Sequence, residues 1–276
     1  MDNIYFDIDK FVNYLKPFKE RLHELYNWNA NLEQLVVLNV ISENELKEWN
    51  SLTNYQKELR IKERVNFNLL NTEKERNTCN KFYDISFWVI KNWGGINLKN
   101  EKVKDLVDLF LLNKSAGFDK IASISKIAAF LYPEDFIIYD SRVAYTLNWI
   151  ILSQNAGNKY FPLPEGRNSK MTAFDMNTLI HIKNANLFNV TSLDELSGKN
   201  KFISKKDQLI YINKNEAYSI LNKLIKEINE KLWDNEVQKQ SKLYYTEMIL
   251  FSIADKDVFK EISKHFTEKS VDFQNE

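Results

Sequence analysis

Six glycines and four prolines in 276 residues leave this chain few places to reverse direction sharply. An all-β protein needs a turn about every dozen residues, and such turns draw on Gly and Pro for their backbone angles. The scarcity points to helices joined by polar loops. Apolar spacing agrees: Phe11, Leu15, Phe18, Leu22 and Leu25 recur every three to four residues over 9–27, the interval that places side chains on one helical face. The same period runs from Leu32 to Val40, Phe82 to Trp93, Val103 to Leu112, Ile121 to Tyr132, Val143 to Leu152, Ala217 to Trp233 and Tyr244 to Ile253. The expected class is mainly α, as two packed helical lobes with a cleft between them. Since 44% of residues are hydrophobic, one large core or two modest ones can be buried.

Charge narrows the partners. Lys and Arg total 38, as do Asp and Glu, so no global basic field draws the chain to nucleic acid or anionic lipid. A polyanion would have to be held by a local patch. The single cysteine, Cys79, excludes an internal disulfide, a Cys-rich zinc site and a Cys-ligated cluster. His23, His181 and His265 are too scattered for a local metal motif, so neither metal nor cofactor is expected. No apolar run approaches the length of a bilayer span, and the acidic N-terminus MDNIYFDIDK lacks the features of a secretory leader. The expectation is a cytoplasmic protein with no membrane partner.

Two stretches break the helical pattern. Residues 153–170, SQNAGNKYFPLPEGRNSK, gather two glycines and two prolines and read as a long ordered loop or a subdomain boundary. Residues 201–215, KFISKKDQLIYINKN, suit either a short strand or a helix terminus, so a small hairpin is compatible with them. The last ten residues read as a frayed tail.

The run that carries chemistry is 117–152, GFDKIASISKIAAFLYPEDFIIYDSRVAYTLNWIIL. On a helical projection Ile121, Ile124, Ala128 and Leu131 share one side, whereas Lys126 falls beside Ala122, Ala129 and Phe130, a setting that shields it partly from water. Pro133 stops the helix, FIIY crosses apolar territory, and Asp140 stands where its carboxylate can cap the next helix. A lone lysine on an amphipathic helix is usually solvated, and an Asp before a helix is usually a plain cap. Together, helix, lysine, apolar crossing, aspartate and helix bring an amine and a carboxylate to the mouth of one cleft.

The order SK, a proline-led turn, and an apolar run ending in Asp at a helix start resembles the helix-hairpin-helix DNA glycosylase superfamily, specifically its 8-oxoguanine glycosylase-like branch. The resemblance covers about residues 117–150. It implies Lys126 as nucleophile, Asp140 as the assisting carboxylate, and Ser125 as the small hydroxyl residue before the lysine on the DNA-binding hairpin. Trp93–Gly95, WGG after an aromatic helix, is compatible with the same branch. Residues 1–82 would then be an N-terminal helical segment and 83–276 the glycosylase-like core. The family's hairpin glycines, two and four residues before the lysine, are here Ile124 and Ala122, and an isoleucine is expected to obstruct the backbone's approach to a DNA phosphate.

Further candidates follow. Arg142 can contact a phosphate or pair with Asp140 or Glu134. Trp93 can stack on an extruded base, and Tyr160, Phe161 and Arg167 of the long loop can shape substrate access. Lys199, Lys201, Lys205 and Lys206, near Phe202, form the local patch that a neutral nucleic-acid binder needs. Glu247, an acid among apolar residues in YYTEMILF, reads as interhelical glue if buried. Two functions fit: a lysine-dependent DNA glycosylase with AP-lyase activity, or a noncatalytic nucleic-acid-binding or protein-interaction module on the same fold, as in phage defence. The separating feature is whether Lys126 and Asp140 converge on an open pocket.

Overall fold

The computed structural model describes residues 4–115, 117–164, 168–197 and 201–272. They are mainly helical and form no strand, only isolated bridges between Phe6 and Gly157 and between Tyr160 and Tyr211. In chain order the helices are α1 (Ile8–Lys19), α2 (Leu22–Leu25), α3 (Glu33–Val37), α4 (Glu43–Asn50), α5 (Asn54–Glu73) and α6 (Lys81–Trp88), the last running into a π-helical turn, Val89–Trp93. Then come α7 (Asn100–Asn113), α8 (Ile121–Leu131), α9 (Ser141–Gln154), α10 (Ser169–Ala173), α11 (Met176–Lys183), α12 (Lys201–Ile210), α13 (Lys214–Leu232), α14 (Val237–Gln240), α15 (Tyr244–Ile253) and α16 (Asp257–Asp272).

α5 lies outside the segments that apolar spacing marks. Charged residues interrupt its sequence throughout, yet Ile61, Val65 and Leu69, four residues apart, bury one stripe. Its start is set by a reciprocal capping box: the Thr53 hydroxyl accepts the Gln56 N–H, and the Gln56 side chain accepts the Thr53 N–H. α5 packs on α6 and α8, α9 on α15, and α15 on α2 and α13. One apolar cluster runs from Phe11 and Leu69 through Phe82 to Ile262, so the core is continuous across residue 82.

The 9–27 face is split by the turn between α1 and α2. Of the two readings for 201–215 the helical one is observed: residues 201–210 are helix ending at the buried Ile210, and Tyr211 then makes an isolated bridge to Tyr160. α16 extends to Asp272, into the expected tail. The long loop is tied down: the Asp7 N–H donates to the Ala156 carbonyl at 2.8 Å, and Tyr160 N–H donates to the Ile210 carbonyl at 3.0 Å. No helix among the described residues is long and apolar enough to cross a membrane.

Candidate active site

The site is held by three local devices. The first is the end of α6. The π-helical turn closes with the Gly94 N–H on the Val89 carbonyl and the Ile96 N–H on the Ile90 carbonyl, and Gly95 takes a left-handed backbone angle, φ 66°. The turn presents Trp93 to the interior, where its indole N–H donates to Glu58 Oε2 at 3.0 Å and its carbonyl accepts the Trp28 indole N–H at 3.1 Å.

The second device is the crossing from α8 to α9. Residues 137–139 are buried and lie in neither helix nor strand, so their N–H groups need side-chain acceptors. Each finds one: Ile137 N–H donates to Asn222 Oδ1 at 3.0 Å, Ile138 N–H to Glu247 Oε2 at 3.1 Å, and Tyr139 N–H to Ser125 Oγ at 3.0 Å. The crossing delivers Asp140 to the start of α9, where its Oδ1 accepts the Arg142 N–H at 2.8 Å as an N-cap.

The third device is α8 itself, in which every residue except Ala122 is buried. Lys126 is only 5% exposed, more enclosed than its sequence neighbours suggested. Its amine donates to the Ala122 carbonyl at 2.7 Å. Burial pushes its pKa below the ordinary 10.5, with the Lys62 charge adding to that push, while Asp140 and Glu247 act the other way. Burial likewise raises the pKa of Glu247, and Lys62 and the Ile138 N–H oppose the rise.

These elements meet around a cavity of about 300 Å³ lined by Lys126, Asp140, Arg142, Glu247 and the aromatic residues Tyr26, Trp28, Trp93 and Phe251, with Ser141 and Asn168 at its side. The aromatic walls brace one another edge to face: Trp28 lies 6.2 Å from Trp93 and 5.9 Å from Phe251 between ring centroids. Arg142 stacks on Phe251, its guanidinium carbon 4.6 Å from the ring centroid, and pairs with Asp255 at 3.5 Å. A small, aromatic-walled chamber holding a desolvated amine, a capped carboxylate and a guanidinium can take a flat, polar-edged group and stabilise cationic charge on whatever is attached to it.

Of the residues singled out by sequence, Lys126, Asp140, Arg142, Trp93 and Glu247 meet at this cavity. Others do not. Ser125 is fully buried, and its hydroxyl is one of the three acceptors that hold the α8–α9 crossing, so it cannot touch nucleic acid. Phe161 is also core: its ring stacks on Phe6 at 5.6 Å, and its backbone pairs with the Asn148 amide through two bonds of 2.8 Å. Arg142 pairs with Asp255 instead of Asp140 or Glu134, and Glu134 pairs with Lys242. Ala122 and Ile124, matched by resemblance to the hairpin glycines, both lie within α8, so the residues just before Lys126 are helix and not hairpin, and Ile124 is turned into the core instead of standing as an obstruction. Lys201, Lys205 and Lys206 sit on α12 away from the cavity wall, Lys206 over the Phe202 ring. Lys199 and Arg167 lie outside the described residues.

Glu247 is interhelical glue and cavity lining at once. Tyr26, Trp28, Phe251 and Asn168 were not marked by sequence, since nothing in their spacing relates them to Lys126. In comparisons with models of known families, with characterised proteins and with solved structures, nothing matches this chain.

Proposed function

We propose that this chain is a DNA glycosylase with AP-lyase activity, in which Lys126 is the nucleophile and Asp140 the assisting carboxylate. The observation that carries the reading is their convergence, from different helices, on one aromatic-walled cavity. An enzyme that works on a base must take it out of the stack, and aromatic walls such as Trp28, Trp93, Tyr26 and Phe251 suit a flat ring. A volume of about 300 Å³ is at the small end of ligand pockets, the range for a single base.

The chemistry then follows from the side chains. The unprotonated Lys126 amine attacks the sugar C1′, the C1′–N bond breaks, and its electron pair leaves with the base, which takes a proton from solvent. The Asp140 carboxylate stabilises the cationic charge that develops on the sugar. Loss of the amine proton and opening of the C1′–O4′ bond, with O4′ protonated, give a Schiff base; loss of a C2′ proton to solvent then forms the C2′–C3′ double bond as the C3′–O bond breaks and the 3′ phosphate leaves. The same reading takes the chain as a two-lobed helical bundle of the glycosylase type, with exposed Lys201 and Lys205 as the candidate contacts to the DNA backbone.

Borohydride trapping tests it. Wild-type protein is incubated with duplex and single-stranded DNAs carrying abasic sites and a panel of oxidised, deaminated and alkylated bases. A reduced covalent adduct is expected with wild type and none with Lys126→Gln. Equal adduct from Lys126→Gln, or none from wild type on any substrate including abasic DNA, rejects the proposal.

A further inference from the structure

Behind the cavity wall lies a second amine that the proposed chemistry does not use. Lys62 and Glu58 are one turn apart on α5 and nearly sealed from solvent, at 5% and 1% exposure. Their charged ends are 3.5 Å apart. The Trp93 indole holds one Glu58 oxygen, while the other, Oε1, has no hydrogen bond. Lys62 Nζ is 4.8 Å from the ring centroid of Phe130, 5.2 Å from that of Trp93 and 5.3 Å from that of Tyr244. Three rings thus surround one desolvated cation, each attracting it through its quadrupole.

Stability alone does not explain such an arrangement, because apolar residues of similar volume often serve a core as well as a buried ion pair or better. Two of the three cage rings are also neighbours of Lys126. Phe130 is one turn further along α8, and Trp93 walls the cavity next to Gly94, the residue against which the Lys126 stem rests. Resting on the function proposed above, we infer that Lys62 is a positioning residue for it: a positive charge, fixed by an aromatic cage sharing Trp93 and Phe130 with the surroundings of Lys126, that acts on the Lys126 amine from behind the cavity wall.

Two of the groups facing Lys126 work against the unprotonated form needed for attack. Asp140 at the start of α9 and Glu247 on α15 both favour the ammonium form. Arg142 is engaged with Asp255, Glu58 with Lys62, and the Tyr26 hydroxyl is kept neutral by burial. Burial is the main counterweight to the two carboxylates, and the Lys62 charge adds to it. A nearby cation lowers an amine's proton affinity by direct repulsion, and the effect is strongest where water is excluded.

The test reads Lys126 with and without DNA. In protein labelled with ¹⁵N-lysine, the Lys126 Nζ resonance is assigned by its loss in Lys126→Gln and titrated by NMR. Lys62→Met is expected to move that titration to higher pH and to lower borohydride trapping near neutrality about tenfold, the effect of a one-unit displacement. Rates of the two proteins should converge above about pH 10.5, where lysine is unprotonated in both. Lys62→Arg keeps the charge and should restore both readouts. Lys62→Gln, which retains a donor for Glu58, replaces the methionine variant if that does not fold. A Lys126 titration at or below wild type in the neutral variant overturns the inference. A displaced titration with no adduct on any substrate rejects the glycosylase function but not the influence of Lys62 on Lys126; an adduct with an unmoved titration rejects the Lys62 role alone.

Discussion

A Cβ atom added to Gly94 would lie 2.7 Å from both Cδ and Cε of Lys126 and 2.8 Å from the Ile90 carbonyl oxygen. The glycine therefore makes room for the lysine's stem, and the stem's path to the cavity depends on the absence of a side chain there. The lysine could yield to a methyl group, but the carbonyl belongs to the backbone of the π-helical turn and cannot yield cheaply. Gly94→Ala is expected to cost about 1–3 kcal/mol in urea unfolding and to reduce adduct formation in parallel. Wild-type stability and trapping in this variant would show that the two residues are not in contact as described.

Asp140 carries two separable functions, a cap and a charge. Asparagine also accepts from backbone N–H groups, so Asp140→Asn should keep stability within a few tenths of a kcal/mol, whereas Asp140→Ala should lose about 1 kcal/mol. On trapping rate both should fall about 10²–10³-fold, since each removes the carboxylate that faces the sugar cation. An asparagine variant as fast as wild type would confine Asp140 to capping.

Lys126 and Glu247 make opposite contributions to stability against pH. The folded pKa of Lys126 lies below its ordinary 10.5, so between the two values the unfolded chain binds the extra proton and stability rises as pH increases. The folded pKa of Glu247 lies above its ordinary 4.5, so over that window the folded protein holds the extra proton and stability falls as pH increases. Lys126→Met should flatten the upper limb and Glu247→Gln the lower one in denaturant melts taken across the pH range. Unchanged limbs in both variants would mean that neither group titrates differently on folding.

Trp28 and Trp93 both wall the cavity, yet their loss should read differently. Trp93→Ala strips Glu58 of its one indole donor and opens the core, so it should destabilise the protein by about 3–5 kcal/mol. Trp28 is half-buried and donates only to a carbonyl. Trp28→Ala should cost less in stability and weaken DNA binding by about 1–3 kcal/mol, the range for one base–aromatic stack. Binding of a fluorescent abasic or modified oligonucleotide that is the same for Trp28→Ala and wild type would remove Trp28 from the base pocket.

The helical class, the cap at Asp140 and the unusual setting of Lys126 were legible because each is a local property. Spacing of three to four residues, a proline stop and an acid before a helix act through neighbours in the chain, and tertiary packing did not override them. The same locality explains the misreadings. Ser125 and Phe161 looked like site residues because they adjoin candidates in sequence, but adjacent residues on a helix face different directions, and a non-helical segment such as 156–164 can turn aromatic rings into the core.

By itself, then, the amino-acid sequence determined that the chain folds into helices and that an amine and a carboxylate flank a proline-ended apolar crossing. Only the tertiary structure decided what surrounds them. Tyr26 and Trp28 follow α2, Lys62 and Glu58 lie on α5, Trp93 ends the π-helical turn, and Glu247 and Phe251 are on α15. They meet because burial of apolar stripes from distant segments fixes which helices touch, and that choice is made by the summed packing of the whole core, which no local spacing encodes.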